Sequence, residues 1–241
     1  SALAGGCRNS RRFDRIANGR GHRLANGTHA VACSRPGHRR PEAPLHMKAV
    51  LVILAGGEGR RMNGDKPLRL LGERTLLERA VGYGKAQGLP IALSLRTEGQ
   101  FPSASEIPVI ADRTDIEGPL AGIVAGLTWA LKNGFDAMLT IPVDMPWLPD
   151  DLCHRLQTDF AGSPLVARSD ERQHPVCSLW AVTALDAVER YAERGERSLR
   201  GILQELGAHT IVWPIGERDP FANINDPDAL AEAERFLQKS R

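Results

Sequence analysis

The sequence predicts an α/β protein, a three-layer α/β/α sandwich on a mostly parallel sheet, and three observations carry that prediction. Ala49–Leu54 and Phe135–Pro142 are near-continuous apolar runs containing β-branched residues, the pattern of parallel strands buried on both faces. Amphipathic segments of helical period alternate with the strands. From Met47 onward there is neither an internal repeat nor a low-complexity linker, so residues 47–241 are expected to form one domain.

In chain order, the strand Ala49–Leu54 leads into a glycine-rich stretch and then a helix near Thr75–Gln87. Short strands are expected at Ile91–Leu95 and Pro108–Ala111. A helix follows over Leu120–Leu131, with apolar residues Leu120, Ile123, Val124, Leu127 and Leu131 at helical spacing. After the strand Phe135–Pro142, a helix is expected over Pro149–Thr158, its proline suited to a first helical position. Pro164–Ala167 and Val176–Trp180 read as strands, Thr183–Ala192 and Ser198–Leu206 as helices, and Thr210–Pro214 as the last strand. A final helix runs from Pro227 to Gln238, with Asp226 as N-cap and Pro227 at its first position.

Composition narrows the function classes. Of 241 residues, 42% are hydrophobic and 25% charged, ordinary for a globular protein. No run approaches the roughly 20 apolar residues of a membrane-spanning helix. The four cysteines, Cys7, Cys33, Cys153 and Cys177, lack any metal or redox spacing. A net charge of +2 hides an asymmetry, because residues 1–46 hold nine arginines against Asp14 and Glu42 alone. That segment has no apolar periodicity and ends just before Met47, the first methionine. The expectation is a basic extension outside the fold, non-native or disordered.

Chemistry concentrates at two strand ends. Leu54-Ala-Gly-Gly-Glu-Gly-Arg-Arg-Met-Asn-Gly-Asp-Lys66 begins where the first strand stops, which is where open α/β sheets bind ligands. Gly56, Gly57, Gly59 and Gly64 let backbone N–H groups approach phosphate oxygens, and Arg60, Arg61 and Lys66 add positive charge. Neither GxxxxGK[ST] nor GxGxxG occurs in this stretch. Ile141-Pro-Val-Asp144-Met-Pro ends the second strong strand on the same sheet edge. Asp144 would therefore face the glycine-rich loop, a carboxylate suited to a Mg²⁺ ion carried by phosphates. Asp112 ends Val109-Ile110-Ala111 in like manner, and either meets a ribose hydroxyl or base or starts a turn. Gly118-Pro-Leu-Ala-Gly122 opens a helix whose N-terminus suits a phosphate or base edge.

These segments, with Gln173-His-Pro-Val-Cys-Ser-Leu-Trp180 and Phe221-Ala-Asn-Ile-Asn-Asp-Pro227, resemble the molybdenum cofactor guanylyltransferase (MobA) family across 47–241 and in the same order. The resemblance implies the Rossmann-like nucleotide-diphospho-sugar transferase fold and transfer of GMP from GTP to molybdopterin, with Mg²⁺ as cofactor and pyrophosphate released. It implies that Leu54, Ala55, Gly56 and Gly57 contact the nucleotide and Lys66 its phosphates. Asp112 would meet the guanosine portion, Asp144 the metal, and Asn223 and Asn225 the pterin-bearing substrate or the metal. Asn63 stands where the family has glycine, and Ser94 stands near the family's nucleotide-contacting Asn.

A phosphate nucleophile is already ionised at neutral pH, so positioning and charge neutralisation suffice. Asp144 is expected to hold Mg²⁺, with Lys66 and Arg61 stabilising the leaving group. His174, before Pro175 and ahead of a predicted strand, is read as structural or as orienting the pterin side. Arg194, Glu196, Arg197 and Arg200 form a solvated stretch or meet the anionic second substrate. Trp129, Trp147, Trp180 and Trp213 are read as packing. Rival readings are a molybdopterin cytidylyltransferase or another nucleotidyltransferase of this fold, and a catalytically silent nucleotide-binding regulator. A nucleic-acid module rests only on the basic N-terminal segment, so no nucleic-acid or membrane partner is expected. A molybdenum-inserting protein is the expected source of molybdopterin, and the cytoplasm the expected compartment.

Overall fold

The computed structural model describes residues 47–56, 66–96 and 106–239. The basic segment 1–46, Gly57 and Arg61 lie outside the described residues. Seven strands form one sheet in the order β5-β4-β1-β6-β8-β7-β9. They are β1 (Ala49–Leu54), β4 (Ile91–Leu95), β5 (Val109–Ala111), β6 (Ala137–Pro142), β7 (Leu165–Ser169), β8 (Arg172–Ala181) and β9 (His209–Trp213); β2 (Leu70–Leu71) and β3 (Arg74–Thr75) make a small separate hairpin. Pairing is parallel at β1–β4, β1–β6, β4–β5 and β7–β9, and antiparallel where β8 meets β6 and β7. The sheet is mostly parallel, as the apolar runs imply.

Among the described residues, six α-helices cover it: α1 (Leu76–Ala86), α2 (Pro119–Lys132), α3 (Leu152–Thr158), α4 (Leu185–Glu193), α5 (Leu199–Glu205) and α6 (Pro227–Lys239). Alternation along β1 divides the core in two. Leu51 and Ile53 pack with Leu77 of α1, Leu152 of α3 and Ala233 of α6. Val50 and Val52 pack instead with Ile123 of α2, Val188 of α4 and Ile202 of α5. Burying both faces of a parallel strand is what a run without polar residues permits.

Local chemistry sets the helix ends. Thr75 Oγ1 accepts from Glu78 N at 3.1 Å while Thr75 N donates to Glu78 Oε2 at 2.8 Å, a reciprocal capping box at the start of α1. Asp226 Oδ1 accepts from Ala229 N at 2.8 Å, so Asp226 and Pro227 start α6 as expected.

Three details depart from the sequence reading. First, α3 begins at Leu152 and not at Pro149. Pro149 lies in the preceding turn, where its carbonyl accepts from Tyr83 Oη at 2.8 Å and from Leu152 N at 3.0 Å. Second, β8 spans ten residues, Arg172–Ala181, and includes Pro175. Ala167 pairs with His174 while the adjacent Val166 pairs with Ser178. Pro175, Val176 and Cys177 thus fall in a bulge, where a residue without N–H is tolerated. Third, His174 lies inside that strand and not ahead of it.

Chain order then locates the site. From β1 the chain builds outward to β4 and β5, then returns through α2 to β6 on the other side of β1. The crevice between the ends of β1 and β6 is the point where strand order reverses, the usual ligand position in such sheets.

Candidate active site

At that crevice β1 ends with Leu54, paired with Ser94 of β4 and Pro142 of β6. Backbone bonds continue the alignment past the strand ends, from Ala55 N to Ser94 O at 2.9 Å and from Val143 N to Leu54 O at 3.1 Å. Leu54, Ala55 and Gly56 are thereby held between the turns that carry Asp112 and Asp144.

On the β6 side, four side chains from three distant stretches of the chain converge. Lys66 Nζ donates to Asp144 Oδ2 at 2.5 Å and to Asn225 Oδ1 at 2.9 Å. Asn223 Nδ2 donates to Asp144 Oδ1 at 3.1 Å, and Ile224 N donates to the Asp144 carbonyl at 2.9 Å. The Lys66 and Asp144 side chains are only 13% and 14% exposed, so each charge depends strongly on its partner. Asn223 and Asn225 flank Ile224, whose side chain is buried while theirs reach Asp144 and Lys66.

Does this donor set fit the Mg²⁺ expected from the sequence? Among the described residues no three His, Cys, Asp or Glu side chains cluster as a metal group. One carboxylate backed by two carboxamides is instead an oxygen-rich set for an ion that arrives with nucleotide phosphates. The residues fit a phosphate-borne ion and not a protein-caged one.

On the β4–β5 side, Ser94 Oγ donates to Asp112 Oδ1, and Asp112 N donates to Leu95 O at 2.7 Å. A Cβ on Gly56 would overlap the Asp112 carboxylate. One on Gly122, in the first turn of α2, would lie 2.6 Å from Ser94 Oγ and 3.0 Å from Leu54 Cδ2. Both glycines are therefore required by their neighbours, because the Ser94–Asp112 pair fills the space a side chain would need.

Burial pushes the Asp112 carboxyl up from its ordinary value, against the lowering effects of the Ser94 hydrogen bond and the Arg96 charge. The folded state therefore holds the Asp112 proton more tightly than the unfolded chain. Ionised Asp112 lowers stability progressively as pH rises from about 4, the unfolded value, through the raised folded value. Asp112→Asn is expected to raise the melting temperature at pH 7. The gain should vanish below about pH 4. Calorimetry of both proteins between pH 3 and 8 checks this; an unchanged or lowered melting temperature at pH 7 would refute it.

The remaining predicted positions are placed plainly. His174 is 2% exposed, hydrogen-bonded through Nε2 to Ser169 Oγ at 2.7 Å and stacked on Phe221 with centroids 4.5 Å apart. It does not face a ligand-accessible surface and reaches Asn223 only through the chain. Burial, its first cause, pulls its pKa down to about 4, so the ring is neutral at physiological pH. Arg194 pairs with Glu205 at 2.6 Å and Arg197 donates to Ala192 O at 2.8 Å. Those arginines secure α4 and α5. The tryptophans pack as expected, Trp129 on Phe135 and Trp147 on Phe236.

Beside Asn223 lies a cleft of about 270 Å³ lined by Trp147, Arg218, Asp219, Ala222 and Glu232 among others. Sequence reasoning missed this cleft and the residues Ser169, Asp219 and Phe221. Arg218 sits over the Trp147 ring at 4.2 Å and pairs with Glu232 at 3.0 Å, so its charge clamps α6 to the loop. The acidic Asp219 just before Pro220-Phe221 was the one available signal, but nothing local pairs it with Ser169.

The family model of the MobA-like NTP transferase domain matches residues 51–210. A protein of Acidiphilium cryptum named molybdenum cofactor guanylyltransferase is 41% identical over 192 residues, covering 78% of this chain and 94% of its own. A protein of the same name from Cereibacter sphaeroides is 37% identical, covering 80% of this chain and 99% of its own. Among solved structures, molybdopterin-guanine dinucleotide biosynthesis protein A from Archaeoglobus fulgidus superposes with a TM-score of 0.64 at 27% identity, covering 79% and 99% of the two chains. The 2-C-methyl-D-erythritol 4-phosphate cytidylyltransferase of Thermus thermophilus, at 16% identity, covers 77% of this chain and 98% of its own with a TM-score of 0.58, a likeness of fold.

Proposed function

The chain belongs to the MobA-like NTP transferases, and from that membership we propose that it transfers GMP from GTP to molybdopterin and releases pyrophosphate. The observation that carries this reading is the convergence of Lys66, Asp144, Asn223 and Asn225 on the crevice between β1 and β6. An ammonium, a carboxylate and two carboxamides at the end of a glycine-rich segment suit a triphosphate and the charge that moves during its cleavage.

In the reaction, an oxygen of the molybdopterin phosphate forms a new bond to the α-phosphorus of GTP. The bond from that phosphorus to the α–β bridging oxygen breaks, and pyrophosphate leaves with the electron pair. No proton need be taken from the nucleophile, so a strong base is unnecessary. Leu54, Ala55 and Gly56 border the nucleotide, and Ser94 with Asp112 orients its guanosine portion. Asp144, with Asn223 and Asn225, would hold Mg²⁺, whose chemistry is to neutralise phosphate charge. Lys66 lies beside that carboxylate, within reach of the charge that builds on the leaving group. Arg61 joins it in this reading on sequence grounds alone. The cleft beside Asn223 offers the approach for the second substrate, delivered by a molybdenum-inserting protein in the cytoplasm, where GTP is available. Among the described residues no helix is long and apolar enough to cross a membrane.

Thermal stabilisation by GTP, CTP, ATP and UTP, each with and without Mg²⁺, tests the reading, since a ligand that binds only the folded state raises the melting temperature. A Mg²⁺-dependent rise with GTP, followed by transfer of labelled GMP to molybdopterin, is the expected result. A preference for CTP would replace guanylyl by cytidylyl transfer. Binding without transfer would make the chain a regulator.

A further inference from the structure

The buried His174 and Ser169 and the part-buried Asp219, which also lines the cleft beside Asn223, have no role assigned in the transfer step above. His174 and Ser169 are almost wholly enclosed at the hairpin of β7 and β8, and Asp219 opens the irregular stretch leading to Asn223. Ser169 Oγ donates to Asp219 Oδ2 at 3.0 Å. A serine hydroxyl has one proton, so the 2.7 Å contact with His174 Nε2 must run the other way, with Nε2–H donating. The chain of donors is therefore His174 Nε2–H to Ser169 Oγ–H to Asp219.

The other end of Asp219 grips the loop. Its Oδ1 accepts from Phe221 N at 2.9 Å and its carbonyl from Ala222 N at 3.0 Å. Phe221 is sandwiched, stacked on His174 and set edge-on to Trp213 at 5.7 Å. Immediately beyond come Asn223, Ile224 and Asn225, which bond Asp144 and Lys66. A loop without regular structure is thus tied to a rigid hairpin by directional bonds, where apolar packing alone would tolerate sliding.

We propose that the His174–Ser169–Asp219 chain is a positioning network for the transfer step, setting the loop so that Asn223 and Asn225 meet Asp144 and Lys66. The proposal rests on nucleotidyl transfer as the activity of this site. Its signature is a split between rate and binding. The groups on the guanosine side, Gly56, Ser94 and Asp112, lie at the ends of β1, β4 and β5 and are packed against one another. Displacement of the loop by a fraction of an ångström should slow chemistry and spare nucleotide binding.

Ser169→Ala and the near-isosteric Asp219→Asn are the test variants, studied in the full chain. Each is expected to lower kcat about 10–100-fold with KM for GTP within about twofold of wild type. Hydrogen exchange supplies a readout independent of activity: the Ile224 amide should exchange at least about tenfold faster in Ser169→Ala, while amides of β1 and β4 keep their protection. Nitrogen NMR of the wild-type protein should find His174 as the Nε2–H tautomer. Wild-type kcat in a folded variant, or unchanged Ile224 exchange, would overturn the proposal, as would the Nδ1–H tautomer. If one variant fails to fold, the other decides. If wild-type protein transfers no nucleotide, the reading of the site fails, while exchange and tautomer still judge the network.

Discussion

Asp144→Ala is expected to lower the rate of guanylyl transfer at saturating GTP and Mg²⁺ by about 10³-fold. The variant removes the one carboxylate that Lys66 and Asn223 both address, and with it the residue proposed to hold Mg²⁺. The fold should persist, because the Asp144 carbonyl still accepts from Ile224 N. The stranded Lys66 ammonium is expected to destabilise the protein by about 1–3 kcal/mol. Lys66→Met should lose about 10²–10³-fold in kcat. Since the two side chains act as a unit, the double variant should be little slower than Asp144→Ala alone. Steady-state kinetics on the three proteins and the wild type completes the cycle. Additive losses would show that the ion pair is structural and that the two groups act separately; near-native turnover in Asp144→Ala would remove that residue from the chemistry.

The second large effect concerns the other side of the crevice. Gly56→Ala is expected to weaken GTP binding, raising its Kd by at least about tenfold, while lowering stability by about 1–3 kcal/mol. The added Cβ would overlap the Asp112 carboxylate and press on the backbone of Arg96 at 3.3 Å. Asp112 cannot retreat without breaking its bond to Ser94, and its backbone is pinned to Leu95 O at 2.7 Å. Arg96 N belongs to the main chain and yields even less. Titration calorimetry with GTP, beside a melting curve, reads both quantities. Wild-type affinity in Gly56→Ala would mean that Asp112 does not orient the guanosine.

Much of this site is legible along the chain. The apolar run that stops at Leu54 marks the strand whose end borders the crevice, and Asp144 just past the end of β6 shares its edge once the strands are parallel. The reason for Gly56 is different from the one the sequence offers. Close backbone approach to a phosphate is the general argument for a glycine-rich loop, whereas at this position the space is already taken by Asp112. His174 shows the same limit. Its place in a motif drew attention to it, but only the bulge at Pro175 explains how a histidine beside a proline comes to lie within a strand. Pro149 looks like a helix start because the cue is local. The helix begins three residues later because Tyr83 and Asp151 are engaged by distant partners, the Pro149 carbonyl and the Trp213 indole.

What the sequence by itself determined was whatever is encoded within a few residues: the buried strands β1 and β6 and the caps at Thr75 and Asp226. These depend on periodicity and on hydrogen bonds three or four residues apart, which form whatever the rest of the chain does. Tertiary structure alone decided that β8 runs antiparallel and bulges. It also decided that Lys66 meets Asp144 and Asn225 across 78 and 159 residues of chain, and that a histidine, a serine and an aspartate join beneath the loop. Such contacts close long stretches of chain at an entropic cost, and no local pattern supplies the energy to offset it. Only the two apolar layers on either face of the sheet do so, and they bring the polar groups together when they pack.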